Sequence, residues 1–235
     1  MKNLPLLYCG IIFMLVAPWC GLILASNVQL GGLEPGLSSA DDTGGPLYPK
    51  PDGGLAGQGR EVYTTLGCAE CHTQQVRPAS ATLMLSQKVK LKDGEEMRDV
   101  ILSPDIARLW GKRGTVPRDY IFQDRPLLGF VRNGPDLADV GSRPISAADS
   151  DWLYVHLYDA QAVRPGTVMP PFRYLFTVQK INGQPARDAL KLPDSEPIRP
   201  PAGYEVVPTA RAKALVAYLR SLKLDYELQE AKFAQ

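Results

Sequence analysis

The chain lacks an excess of charge of either sign, since 26 basic and 25 acidic side chains give its 235 residues a formal net charge of +1. Nucleic-acid-binding domains usually carry a basic excess, so this balance argues against nucleic acid as a partner. Internal repeats are also missing, and the chain has only two histidines and four cysteines. The hydrophobic content of 45% nevertheless suffices for a buried core, and the length suits one ordinary domain with extensions.

Charged residues are absent from Asn3 to Leu33. Residues 4–25 within this segment form an apolar run that meets the ~20 residues needed to cross a bilayer. Lys2 is the one basic side chain before the run. Because basic residues that flank a membrane helix favour the cytoplasmic side, Lys2 predicts a cytoplasmic N-terminus. A cleaved signal peptide is the alternative, but the run is long for one. We therefore expect residues 1–30 to be a retained transmembrane anchor.

The cysteines divide into two pairs. Cys9 and Cys20 lie in the apolar run, where we interpret them as small apolar residues of a helix. Cys68 and Cys71 belong to the sequence Cys-Ala-Glu-Cys-His, which ends at His72 and matches the C-x-x-C-H signature of covalent haem attachment. Thiols three residues apart lie on one turn, where each can add to a haem vinyl group. The histidine that follows then presents its imidazole to the iron. This spacing predicts one covalently attached haem c.

Three other interpretations of this motif are weaker. A zinc site needs a second pair of ligands, and the remaining cysteines are in the membrane segment. A thioredoxin-like redox pair needs a βαβ setting, and nothing before Cys68 has the pattern of a buried strand. A structural disulfide leaves the adjacent histidine unexplained.

The iron needs a sixth ligand or an open face. The scarcity of histidine leaves as candidates His156 and the three methionines outside the anchor, Met84, Met97 and Met169. Met169 precedes two prolines that stiffen its loop, so we favour it. His156 falls in a predicted helix over residues 151–159, where a lone histidine is more often structural. Methionine opposite histidine raises the reduction potential, and a filled sixth site makes electron transfer the expected chemistry.

Two helices are predicted around the motif. Residues 58–66 form a short helix leading into it, and residues 209–222 follow the apolar i, i+3, i+4, i+7 pattern. A helix pair from the two ends of a domain, crossing beside a haem, resembles class I cytochromes c. The Gly-Pro-x-Leu segment of residues 134–137 resembles the same class. That resemblance implies that the carbonyl of Pro135 accepts the N–H of His72.

The expected fold class is therefore mainly α, a class I cytochrome c-type domain with one N-terminal transmembrane helix and irregular insertions. The expected domain organisation is a linker over residues 31–57, a cytochrome c domain over 58–224 and a tail over 225–235. Insertions at about residues 79–118 and 177–208 are expected to be surface elaborations. The turn signal at residues 92–95 predicts a small hairpin in the first of them.

Several segments in their order resemble the mono-haem cytochrome c subunit of cbb3-type haem–copper oxidases. They are CAECHTQQVRP (68–78), Asp-Arg-Pro (124–126), RNGPDLADVGSR (132–143), Asp151-Trp152 with His156-Leu157, and VMPPF (168–172). The match covers roughly residues 58–78 and 119–175 and the terminal helix. The chain departs from the family pattern at Thr73, Gln75 and Val168 and in its two insertions, and this places it in a divergent branch.

The resemblance implies a bacterial inner-membrane protein whose anchor crosses once and whose haem domain is periplasmic. It implies no catalysis by the chain itself. Electrons would pass to an integral-membrane catalytic oxidase subunit, with a second cytochrome subunit as a further expected partner. Four arginines that flank the matched motifs would be candidates for pairing with haem propionates: Arg77, Arg125, Arg132 and Arg143. The competing functions are the cytochrome subunit of a nitric oxide reductase, a free-standing anchored electron shuttle, and a haem enzyme or gas sensor.

Overall fold

The computed structural model describes residues 3–38, 45–77, 104–144, 150–193 and 198–233, and the backbone of 85–89 and 98–102. Over these residues the architecture is mainly helical, with three small two-stranded sheets. This agrees with the mainly α class expected from the sequence.

The N-terminal segment is one continuous helical rod. It consists of α1 (Leu4–Pro18), a π-helical turn (Trp19–Leu24) and α2 (Ala25–Gly31). The π-helical turn begins directly after Pro18, whose missing N–H removes one backbone hydrogen bond of the preceding turn. The rod has 28 residues, or about 42 Å at the α-helical rise, against about 30 Å of hydrocarbon in a bilayer. The predicted anchor is therefore a helix long and apolar enough to cross a membrane. Its apolar side chains are exposed and do not pack on the rest of the described chain.

The remaining elements follow in chain order. The helices are α3 (Gly54–Thr65), α4 (Pro104–Ala107), α5 (Ser150–Tyr158), α6 (Ala160–Val163) and α7 (Ala210–Ser221). The strands are β1 (Gly36–Leu37), β2 (Leu47–Tyr48), β3 (Leu85–Val89), β4 (Arg98–Leu102), β5 (Phe176–Lys180) and β6 (Tyr204–Pro208). They form three antiparallel pairs, β1 with β2, β3 with β4, and β5 with β6.

The main core forms where α3 and α7 pack against each other. A Cβ added at Gly59 of α3 would lie 1.9 Å from the carbonyl oxygen of Ala214 in α7, so the two backbones meet at this glycine. The rings of Tyr63 and Tyr218 meet edge to face beside it, with centroids 5.4 Å apart. Thr209 accepts the Ala212 N–H at the start of α7, which confirms the predicted terminal helix. The first predicted helix begins four residues earlier than expected.

Both insertions contain a hairpin. In the first, Val89 pairs with Arg98, and the predicted turn at residues 92–95 lies outside the described residues. In the second, β5 and β6 pair, and Ile198 and Val206 are buried in the main core. The second insertion thus supplies core residues as well as surface.

A second core cluster joins the linker and the C-terminal segment. Tyr226 and Leu228 are buried in it together with Val76. The ring of Tyr48 stacks on that of Tyr226 with centroids 4.2 Å apart. Both ends of the chain that flank the predicted cytochrome domain are therefore packed against it.

Candidate functional site

The two thiols follow directly after α3. Gly67 has φ 69°, a left-handed conformation that favours glycine and ends the helix. The turn of Cys68–Glu70 follows, and the His72 N–H donates to the Cys68 carbonyl at 3.0 Å. Cys68 is half-buried against the main core whereas Cys71 is exposed, and burial raises the pKa of Cys68 to about 11. Both thiols and the imidazole are thus presented from one turn, as predicted.

The ring of His72 has a defined orientation. Its Nδ1 lies 2.8 Å from the carbonyl oxygen of Pro135, the contact that the class I resemblance implied. A carbonyl only accepts hydrogen bonds, so Nδ1 carries the proton and the Nε2 lone pair is left for a metal. Burial lowers the pKa of His72 and so favours the neutral ring. A neutral, oriented imidazole is the form in which histidine binds iron.

Gly134 is the first residue of the Gly-Pro-x-Leu segment, and sequence reasoning assigned it no role of its own. A Cβ at this position would lie 2.2 Å from Cε1 of His72, so the imidazole occupies the space of a side chain. The Gly134 N–H donates to the Cys71 carbonyl at 2.9 Å. The thiol turn and the Gly-Pro segment are therefore held in direct backbone contact.

Asp136 is a second residue that sequence reasoning missed. Its buried carboxylate accepts three hydrogen bonds, from the Thr73 hydroxyl at 2.5 Å, the Gln75 N–H at 2.7 Å and the Ala138 N–H at 2.9 Å. Burial raises the pKa of Asp136, and the three hydrogen bonds oppose that rise. The carboxylate ties the chain after His72 to the segment that orients the His72 ring. Its place directly after Pro135 was the only available signal.

The favoured sixth ligand, Met169, lies in a loop that packs on the same core as Cys68. Its side chain is half-buried, and directly after the two prolines the Phe172 N–H donates to the carbonyl of Leu157 in α5 at 2.9 Å. The loop is therefore anchored to a helix of the core. The other methionine candidates, Met84 and Met97, lie outside the described residues.

The alternative ligand, His156, lies on α5 as predicted. Its ring stacks on Trp152 with centroids 4.7 Å apart. Burial lowers the pKa of His156 to about 4, so its ring is neutral near pH 7. Its Nδ1 is buried and has no hydrogen-bond partner among the described residues. Stacking on Trp152 gives His156 a packing role.

The four candidate arginines differ in their surroundings. Arg77 and Arg125 are exposed. Arg132 donates to the Asp105 carboxylate at 2.6 Å, so its charge is already paired. Arg143 instead donates to the carbonyl oxygens of Asp136 and Trp110, and its buried Nε has no partner within the described part of the chain. Burial lowers the pKa of Arg143. Of the four, Arg143 has the surroundings that best suit an added anionic group.

These residues fit a haem c. The turn after α3 offers two thiols and an imidazole with a free Nε2, and the Met169 thioether lies in an anchored loop on the same core. The half-buried apolar side chains on the main core, which suit the face of a porphyrin, include Leu66, Leu127, Trp152 and Phe172. The donor chemistry and the apolar surroundings thus agree with the group that the motif implies.

One family model matches the chain, and its description is cytochrome c oxidase, mono-haem subunit/FixO. The match covers residues 110–196, which include Pro135, Arg143 and Met169. It confirms the resemblance to the mono-haem oxidase subunit that the sequence motifs indicated. No curated protein matches the chain.

Proposed function

From the similarity of residues 110–196 to the mono-haem subunit of cytochrome c oxidases, we propose that this chain is a membrane-anchored c-type cytochrome that carries electrons to a catalytic oxidase subunit. The observation that carries the proposal is the 2.8 Å contact between His72 Nδ1 and the Pro135 carbonyl, because it gives the histidine of the C-x-x-C-H motif the tautomer that an iron ligand requires. The domain is a class I cytochrome c fold, and the partner complex is a cbb3-type oxidase.

Each residue has a defined task in this proposal. Cys68 and Cys71 would hold the haem by thioether bonds, and His72 would bind the iron through Nε2. Met169 would supply the second iron ligand, and Arg143 would donate to a propionate. When bound, haem supplies reversible one-electron exchange at the iron. The oriented imidazole and the thioether keep the ligand set unchanged between the two oxidation states, and the thioether favours ferrous iron.

The membrane-proximal segment favours a docked subunit over a free shuttle. Arg118 donates to the carbonyl oxygen of Glu34, three residues after α2, and also pairs with Glu230 at 2.5 Å. Three extended residues span about 10 Å, so the domain is held close to the end of the anchor. A shuttle needs a tether that lets its haem travel between partners. A domain fixed beside its anchor suits a permanent subunit of a complex. The domain then lies at the periplasmic surface of the membrane.

Purification tests the oxidase proposal. The tagged full-length chain is extracted in mild detergent, and the product is assayed for haem types, copper, oxygen reduction and nitric oxide reduction. We expect a complex with b-type haem and copper that consumes oxygen. Nitric oxide reduction without oxygen reduction would favour the nitric oxide reductase subunit instead. Recovery of the chain alone in several detergents would remove the oxidase function and leave the cytochrome.

A ligand variant tests the haem site separately. We expect Met169→Ala to lower the reduction potential and to let carbon monoxide bind the ferrous iron, because the variant has no thioether for the sixth position. His156→Ala is the matched comparison. Its iron is expected to keep Met169 in the sixth position and therefore not to bind carbon monoxide. If carbon monoxide binds the His156 variant and not the Met169 variant, the assignment of the sixth ligand is wrong.

A further inference from the structure

A series of hydrogen bonds connects the start of α6 to Met169 through the loop between them. The Asp159 carboxylate accepts the Gln161 N–H at 3.1 Å and caps this short helix. The same carboxylate pairs with Arg173 at 2.5 Å, on the far side of the two prolines. The beginning of the loop and the chain after it are therefore tied to one buried residue.

The Gln161 side chain then spans the loop. Its Oε1 accepts the Gly166 N–H at 3.0 Å, and its Nε2 donates to the Thr167 carbonyl. Gly166 has φ 81°, so the turn needs glycine at this position. One amide thus satisfies a donor and an acceptor of two successive residues, which fixes the path of the backbone that leads to Met169.

Thr167 completes the path. Its hydroxyl oxygen accepts the Met169 N–H at 3.2 Å. Beyond Met169, the prolines at 170 and 171 have a fixed φ and no N–H. The backbone of Met169 is therefore restrained by hydrogen bonds on one side and by proline rings on the other.

We propose that Gln161 and Thr167 are positioning residues that keep the Met169 thioether on the iron against competing ligands. The inference rests on the proposed ligation by Met169. An external ligand binds only the fraction of molecules in which Met169 has left the iron, and its apparent affinity scales with that fraction. A looser loop raises the fraction without removing the thioether. We call the hydrogen bonds of Gln161 and Thr167 the clamp. Loss of the clamp therefore makes the iron easier for an external ligand to bind, while Met169 remains the resting ligand.

The test is imidazole binding to the ferric full-length protein in detergent. Gln161→Ala removes both side-chain hydrogen bonds, and Thr167→Val removes the acceptor for the Met169 N–H with little change of shape. We expect each variant to bind imidazole about three- to tenfold more tightly than wild type, since single hydrogen bonds between neutral groups make modest net contributions. Met169→Ala sets the upper limit because it has no competing thioether. Gln184→Ala, an exposed glutamine in the loop between β5 and β6, is the matched control and is expected to equal wild type.

Thr167→Ser separates positioning from general destabilisation. Serine keeps the hydroxyl acceptor, so imidazole affinity is expected to return to within about twofold of wild type. Far-ultraviolet circular dichroism and the thermal midpoint report whether each variant is folded. If Met169→Ala binds imidazole more tightly while Gln161→Ala and Thr167→Val match the Gln184 control, the clamp is refuted and the ligand assignment stands. If Met169→Ala also matches wild type, the ligand assignment and the clamp are both wrong.

Discussion

The crossing of α3 and α7 predicts a large effect of a single added methyl group. A Cβ at Gly59 would lie 1.9 Å from the carbonyl oxygen of Ala214 and 2.7 Å from Cβ of Tyr218. The normal distance between a carbon and a carbonyl oxygen is about 3.3 Å, so Gly59→Ala must separate the helices locally by roughly 1.4 Å. Neither obstacle is the end of a flexible side chain, so neither can turn away.

The expected magnitude follows from the cost of overpacking. Forcing an additional methyl group into a packed core typically destabilises a protein by about 1–3 kcal/mol. Each kcal/mol lowers the thermal midpoint by about 2–4 °C for a domain of 150–250 residues. We therefore expect Gly59→Ala to lower the midpoint by about 2–12 °C, through loss of contact between the Tyr63 and Tyr218 rings as well as between the helix backbones.

The matched control lies two residues away in the same helix. A Cβ at Gly57 would lie 3.6 Å from the nearest atom, the Asp52 carbonyl oxygen, which is an ordinary contact. Gly57→Ala gains the helix preference of alanine, about 0.5–1 kcal/mol, so its thermal midpoint should stay or rise slightly. Thermal unfolding of both full-length variants in detergent, followed by circular dichroism, compares them directly. Equal midpoints for the two would refute the close crossing.

Other substitutions probe the site and the second core. Gly134→Ala should displace the His72 ring, because its Cβ would lie 2.2 Å from the imidazole, and should reduce covalently bound haem per protein in a stain and absorption assay; a wild-type ratio and spectrum would contradict this. Arg113→Met should destabilise by about 3–5 kcal/mol in urea unfolding, since it leaves the Asp119 carboxylate, 3% exposed, without its ion-pair partner. Tyr226→Phe should cost less, about 1.5–3 kcal/mol, because it removes one hydrogen bond at 2.9 Å to the same charged carboxylate. The opposite order of the last two would be inconsistent with the buried ion pair.

Local patterns predicted the parts that depend on local chemistry. The apolar run defines the membrane-length helix because length and composition alone decide it. The spacing of Cys68, Cys71 and His72 places them on one turn, and the apolar period of residues 209–222 predicts α7. The resemblance to a family added the role of Pro135. This residue is 63 positions from His72 in sequence, so no periodic pattern indicates their contact.

The sequence by itself thus determined the membrane-length helix, the turn that carries Cys68, Cys71 and His72, and the terminal helix, because each depends on neighbours within a few turns. Tertiary structure alone decided that Gly59 and Gly134 must lack side chains, since the obstructing atoms come from residues far along the chain. It also decided which of the four candidate arginines has a buried Nε and no carboxylate partner among the described residues, and which side chain spans the Met169 loop. Burial and hydrogen-bond partners are properties of the packed molecule, and a linear pattern contains neither.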